Sequence, residues 1–239
     1  MARQPDPNEA RHPDRPSSRR GGRALMAWAL ALASAWMAPA GAQDAATIAA
    51  QGNGKGAAAC QSCHAANGSG LAAPGFPRLA GLDAGYLLGQ LEAFAQGHRD
   101  NAVMKQQAAA LDDAERRALA DYFSHLPAVA ATDPGAASFA DPGHVGETLA
   151  TRGRWSKQLP ACAQCHGPGG VGVGVNFPPL VGQPAAYLVS QLKAFRSGSR
   201  HDDPMGLMRH VAQPLSDAEI DAVAHWYAAQ PFPPKEPRP

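Results

Sequence analysis

The sequence is poor in aromatic residues, at 6%, and carries only four cysteines in 239 residues. Four cysteines are too few for a scaffold built on disulfides. Sparse aromatics beside 25 Gly and 22 Pro argue against a large β-sandwich, and no strand-like alternation is found along the chain. Charge of one sign is also lacking. The 21 Lys+Arg and 20 Asp+Glu leave a net +1, which gives no basic field for nucleic acid. Long apolar runs are missing apart from one near the N-terminus. What remains, 45% apolar and 17% charged, is the composition of a globular chain.

The single apolar run extends from Ala24 to Ala38, after an arginine-rich segment ending Arg19-Arg20-Gly21-Gly22-Arg23. Pro39-Ala40-Gly41-Ala42-Gln43 follows. A positive segment, a short apolar run and a small-x-small site read as an export signal, residues 1–42, cleaved after Ala42. The run falls short of the ~20 residues that span a bilayer comfortably. Its removal leaves 15 basic and 17 acidic residues, a net charge of −2.

The remaining chain is one unit written twice. Cys60-Gln61-Ser62-Cys63-His64 recurs 102 residues later as Cys162-Ala163-Gln164-Cys165-His166. Phe76-Pro77-Arg78-Leu79 recurs as Phe177-Pro178-Pro179-Leu180, offset 101. Tyr86-Leu87, Gln90-Leu91, Phe94, Gly97 and Arg99 recur at the same offset. Leu111 and Asp113-Ala114-Glu115 recur at offset 104. This repetition predicts two domains, 43–127 and 143–230, joined by an extended linker over 128–142, with a proline-rich frayed tail over 231–239. Apolar stripes predict helices from Asp83 to Ala95 and from Tyr187 to Phe195. Capping boxes at Asp112-x-x-Glu115 and Ser216-x-x-Glu219 open two more. Short helices are expected at Ala45–Gln51 and Val145–Arg152. The fold class is all-α.

The two Cys-x-x-Cys-His motifs carry the chemistry, and together they use all four cysteines. The motif is the attachment signature of covalent haem in c-type cytochromes. One helical turn spaces Cys60 from Cys63, and Cys162 from Cys165, to meet two vinyl groups on one porphyrin edge. His64 and His166 then supply an axial nitrogen. Two structural disulfides would leave both histidines unexplained. A four-cysteine zinc site would have to gather pairs about 100 residues apart, far beyond ordinary zinc spacings. Two haem c groups are expected, each filling the centre of a domain too small to build a large core alone. Carbonyls at Pro77 and Pro178 are candidates to accept the Nδ1–H of each histidine.

The second axial position decides between electron transfer and ligand chemistry. Beyond residue 42 only Met104, Met205 and Met208 remain, all between the Gly-x-Arg and the last helix of their repeat. Met104 is the expected sulfur ligand of the first half. In the second half, counting from Gly198 selects Met205 and counting back from Leu215 selects Met208. Met208 is favoured, because the following helix fixes the distance to the iron. The segment Arg200 to Pro204 is the looser place for three extra residues. His98, His201 and His210 lie nearby but have no histidine at the equivalent repeat position, which weakens a bis-histidine alternative. His125, His144 and His225 are expected on the solvated surface.

These residues together resemble the di-haem cytochrome c4 family over about residues 45–230. The shared pattern is Phe-Pro-x-Leu, Tyr-Leu…Gln-Leu…Phe, Gly-x-Arg, a Met, and Leu-(Ser/Asp)-Asp-x-Glu after each Cys-x-x-Cys-His. The first half departs from it with Ala65 after the histidine and Arg116 where the second half has Ile220. The resemblance implies two class I cytochrome c domains related by a pseudo-twofold, haem edges facing across the joint. It also implies a periplasmic, non-enzymatic electron carrier. Its partners would be redox proteins such as a terminal oxidase, and peripheral membrane association is compatible with it. Three alternatives stay open: a cytochrome subunit of a periplasmic dehydrogenase, a di-haem peroxidase and a gas sensor. Methionine in both halves argues against the last two.

Overall fold

The computed structural model describes residues 44–232. The expected signal segment and all but the first two residues of the expected tail lie outside the described residues. Eleven α-helices follow in order among the described residues. The first half contains α1 (Ala45–Gln51), α2 (Gln61–His64), α3 (Ala84–Gln96), α4 (Ala102–Ala109) and α5 (Asp113–His125). A short α6 (Pro134–Ser138) bridges to α7 (Val145–Thr151), α8 (Ala163–His166), α9 (Ala185–Ser197), α10 (Leu207–Ala212) and α11 (Asp217–Ala229). The only β pairing among the described residues is isolated bridges. No described helix is long and apolar enough to cross a membrane.

The two halves build equivalent cores from equivalent residues. Ile48, Leu87, Leu111, Leu119, Ala120 and Phe123 are buried together in the first half. Leu149, Leu188, Leu215, Val223, Ala224 and Tyr227 take the same places in the second. In each half the last helix packs on the first, α5 on α1 and α11 on α7. Glycine is required where the second core closes: Gly170 has φ +75°, and a Cβ there would lie 2.4 Å from the Tyr227 ring.

Both last helices open with a complete capping box. The capping glutamate does a second task in each half. Glu115 accepts from Asn53 Nδ2 at 3.2 Å and Lys55 Nζ at 3.2 Å, tying the loop before the cysteines to α5. Glu219 accepts from the Ser216 amide at 2.7 Å, from Lys157 Nζ at 3.3 Å and from Arg154. The same fastening is thus made with different donors.

The segment read as an extended linker is anchored instead. Asp133 Oδ1 accepts from Ala136 N at 3.0 Å and caps α6. Its Oδ2 accepts from Ala185 N at 3.0 Å and caps α9 as well. The second half needs this, because its own N-cap residue is Pro184, where the first half has Asp83. Phe139 stacks on His225 with ring centroids 4.0 Å apart, so His225 is half-buried rather than fully solvated. The chain also stays packed one step past α11, with the Arg78 guanidinium 4.9 Å from the Phe232 ring centroid.

Two predictions follow from these contacts. Burial opposes ionisation of Glu219, but its Ser216 hydrogen bonds, Lys157 and Arg154 outweigh burial, so the carboxyl sits below its ordinary range. A lowered native pKa contributes stability above the ordinary glutamate value of ~4.3 and loses it as pH falls through the native value. Glu219→Gln is expected to cost about 2 kcal/mol at neutral pH, with the deficit shrinking below pH ~4. Chemical denaturation at several pH values checks this, and a pH-independent deficit contradicts it. The second prediction concerns Ala65, which holds φ 66°, ψ 156° where the second half has Gly167 at φ 78°, ψ 164°. That region is costly for any residue with a Cβ. Ala65→Gly should raise stability by about 1 kcal/mol, read as a higher thermal midpoint; a lower midpoint contradicts the strain argument.

Candidate functional site

Each Cys-x-x-Cys-His motif folds as a single helical turn. Cys60 precedes α2 and Cys162 precedes α8, both with αR backbone, and each turn ends on its histidine. His64 and His166 are each 6% exposed. Their Nδ1 atoms lie 2.8 Å from the carbonyl oxygens of Pro77 and Pro178, as the sequence predicted. Burial lowers both imidazole pKa values, against the pull of the proline carbonyls, and Arg99 and Arg200 act in the same direction as burial. A neutral imidazole with its proton on Nδ1 leaves the Nε2 lone pair free. His166 Nε2 is buried with no hydrogen-bond partner.

That nitrogen belongs to a cavity of about 420 Å³ in the second half. Cys162, Cys165, His166, Met208 and Tyr227 contribute to its wall, and Tyr86 and Gln90 reach it from the first half. The Tyr227 hydroxyl is a second buried polar atom with no partner. Burial pushes the Cys162 thiol up to about 11 and raises Cys60 as well. Burial thus favours the neutral thiol at Cys60 and Cys162. Among the described residues no three His, Cys, Asp or Glu side chains converge to hold a metal ion. A large, mostly apolar cavity with paired thiols and an unpaired imidazole nitrogen fits a covalently held haem.

The candidate methionines separate in space. Met104 lies on α4, whose cap Asn101 accepts from the Met104 amide at 2.9 Å. Met208 lies on α10. The two helices are equivalent at offset 104, since Ala108 and Ala212 are both fully buried and Leu111 and Leu215 are 5% and 6% exposed. Met104 and Met208 therefore correspond, and both are half-buried. Met205 sits upstream in a 3-10 turn with φ 58°, and its side chain is 99% exposed. The three extra residues fall between Arg200 and Met208. Helices α4 and α10 were not read from the sequence. His98, His201 and His210 are exposed and none lines the cavity.

The Gly-x-Arg landmark also has a role that sequence reasoning missed. Arg99 and Arg200, each 6% exposed, meet at the joint between the halves. Arg99 donates to Gln90 Oε1 at 2.7 Å, Gln191 Oε1 at 2.6 Å and the Tyr187 hydroxyl at 2.9 Å. Arg200 donates to the same two glutamine oxygens, at 2.9 Å for Gln191 and 2.8 Å for Gln90. The backbone repeats the exchange: Asp100 N donates to Ser199 O at 2.9 Å and His201 N to His98 O at 2.9 Å. This reciprocal pairing is a local twofold. Arg78 breaks it, standing where the second half has Pro179 and donating to Val181 O at 3.1 Å. The available signal was the Arg and Gln recurring at one offset, but an offset alone does not say that two copies face each other.

The cavity sets an expectation for the chain without its prosthetic group. A cleft of this size lined mainly by apolar side chains lacks packing partners without the group that fills it, and unfilled apolar volume is destabilising. A variant with all four cysteines changed to Ala should show a largely unfolded far-UV circular dichroism spectrum. A native helical signal without haem contradicts this.

Comparison with known proteins agrees with the geometry. The family profile for cytochrome c matches residues 49–127 and 146–228. A thiosulfate dehydrogenase electron acceptor from Thiomonas intermedia is 52% identical over 74% of this chain and 81% of its own length. Cytochrome c4 from Pseudomonas aeruginosa is 37% identical over 78% of this chain and 90% of its own. Among solved structures, thiosulfate dehydrogenase from Marichromatium purpuratum superposes with a TM-score of 0.74 at 44% identity. That match covers 79% of this chain, which spans 40% of the larger protein. The chain belongs to the cytochrome c family, as a di-haem, cytochrome c4-like electron-transfer protein with one haem c attached at Cys60 and Cys63 and the other at Cys162 and Cys165.

Proposed function

We propose that this protein is the periplasmic electron acceptor of a thiosulfate-oxidising dehydrogenase. The observation that carries the reading is the 52% identity to an acceptor of that kind, supported by the fold shared at TM-score 0.74 with a thiosulfate dehydrogenase. Of the roles open from sequence, service to a dehydrogenase thereby comes ahead of a carrier serving a terminal oxidase. A carrier delivering electrons to a terminal oxidase is kept as the second reading. The two roles are compatible in sequence, one delivering electrons and the other removing them. Export requires residues 1–42 to act as the signal, with cleavage after Ala42.

The ligand set we infer is His64 with Met104 and His166 with Met208. The proline carbonyls fix each imidazole, and Met208 stands on the helix equivalent to that of Met104; Met205 borders the same cavity but is almost fully exposed. Haem supplies one-electron redox chemistry. The chain's own contribution is an apolar shell, a fixed imidazole and a thioether that favours the reduced state. Haems held by His64 with Met104 and by His166 with Met208 would exchange electrons outer-sphere with partners that dock briefly.

Two measurements test this. Purified oxidised protein mixed with a catalytic amount of thiosulfate dehydrogenase should be reduced on addition of thiosulfate, followed by its haem bands. No reduction, together with rapid oxidation of the reduced protein by terminal-oxidase membranes, would move the function to the second reading. For the ligands, Met208→Ala should abolish the sulfur-to-iron charge-transfer band of one haem, while Met205→Ala leaves both. The reverse pattern contradicts the assignment.

A further inference from the structure

The backbone pairing at the joint between the halves has a second, outward face. Arg99 bridges antiparallel to Arg200, so His98 stands opposite His201 and Asp100 opposite Ser199. Side chains alternate across such a pair. Arg99 and Arg200 turn inward and are buried, whereas His98, Asp100, Ser199 and His201 share the outward face and are exposed. At offset 101 His98 corresponds to Ser199 and Asp100 to His201. One end of the ribbon therefore carries two imidazoles, and the twofold-related end carries a carboxylate and a hydroxyl. The two rings lie edge to face with centroids 5.5 Å apart. Their nitrogens have no hydrogen-bond or ion-pair partner among the described residues, whereas His125, His144 and His225 each engage a neighbour along their own helix.

Paired imidazoles with free nitrogens are ligands for the later divalent transition metals. Two imidazoles on one tetrahedral ion, each nitrogen ~2.1 Å from the metal, set their ring centroids about 5 Å apart. The observed spacing is near that span. The hydrogen bond from His201 N to His98 O at 2.9 Å fixes the two backbone positions against each other, so rotation of the rings is all that a shared ion demands. Asp100 on this face and the buried Asp202 behind it offset the guanidiniums of Arg99 and Arg200. We propose that His98 and His201 form a binding site for one divalent ion of the zinc class, with one imidazole from each half and water in the remaining positions. No third His, Cys, Asp or Glu converges on the pair among the described residues, so this is an open site rather than a closed structural one. A bound ion ties the halves together across the joint. The site is separate from His64 and His166, which are buried.

The test is calorimetric titration of zinc chloride into the untagged di-haem holoprotein after treatment with a chelator. Zinc has no redox chemistry of its own, so the haem bands serve as an independent check that each variant is intact. One ion per chain should bind, and the thermal midpoint should rise with zinc concentration, as it does for any ligand held by the folded state alone. His98→Ala and His201→Ala should each weaken binding by about tenfold or more and remove the rise in midpoint. His210→Ala, at another exposed histidine, should change neither. Should one variant of the pair assemble poorly, the other decides, since each removes half of the protein ligands. No saturable binding, binding that survives both substitutions, or an equal loss in His210→Ala overturns the proposal.

Discussion

Everything in this fold is arranged around the hydrogen bond from each histidine Nδ1–H to a proline carbonyl twelve or thirteen residues on. The bond ties the histidine to a loop of Gly and small residues that is itself held by the bridges Leu71 to Phe76 and Val173 to Phe177. With Nδ1 protonated, the other ring nitrogen keeps its lone pair, and in the second half that nitrogen is buried without a hydrogen-bond partner. The glutamate of each capping box ties the loop before the cysteines to the last helix of its half, through Lys55 to α5 and through Lys157 to α11.

The repeat is more than duplication, because the two copies have diverged where they meet. The reciprocal Arg99 and Arg200 contacts preserve a twofold relation. Arg78, Asp202 and the three-residue lengthening before Met208 break it. Arg78 is 1% exposed, and burial draws its guanidinium down to about 10, so it enters the joint as a cation held by backbone carbonyls. Its amide and carbonyl are both engaged by Gln183 of the other half, at 3.0 Å each. Such contacts fix the halves as one body. They also make the environment of one haem site depend on residues of the other half, as Tyr86 and Gln90 at the second cavity show.

Much of this was legible in the sequence because the chemistry is local. Cys60 to His64 and Cys162 to His166 lie within five residues, and the capping boxes span four. The apolar stripes of α3 and α9 show themselves over three turns. The proline carbonyls were found by asking what must satisfy a ligating imidazole. Helices α4 and α10 were missed because they are short and have little apolar periodicity; their position is set by packing Ala108 and Ala212 into the core. Asp133 as cap of α9, 52 residues away, leaves no local trace. The guanidinium cluster depends on two halves about 100 residues apart facing each other, a fact of tertiary structure. Met205 and Met208 differ in exposure and in the helix under the second, differences that the conflicting sequence offsets do not show.

The central claim is that each half holds a porphyrin through two thioethers. Intact mass spectrometry of the protein isolated from the periplasm tests it most directly. The account predicts a mass equal to the polypeptide beginning at Gln43 plus two haems, with no thiol available for alkylation. A bare polypeptide mass with four alkylatable cysteines would contradict it.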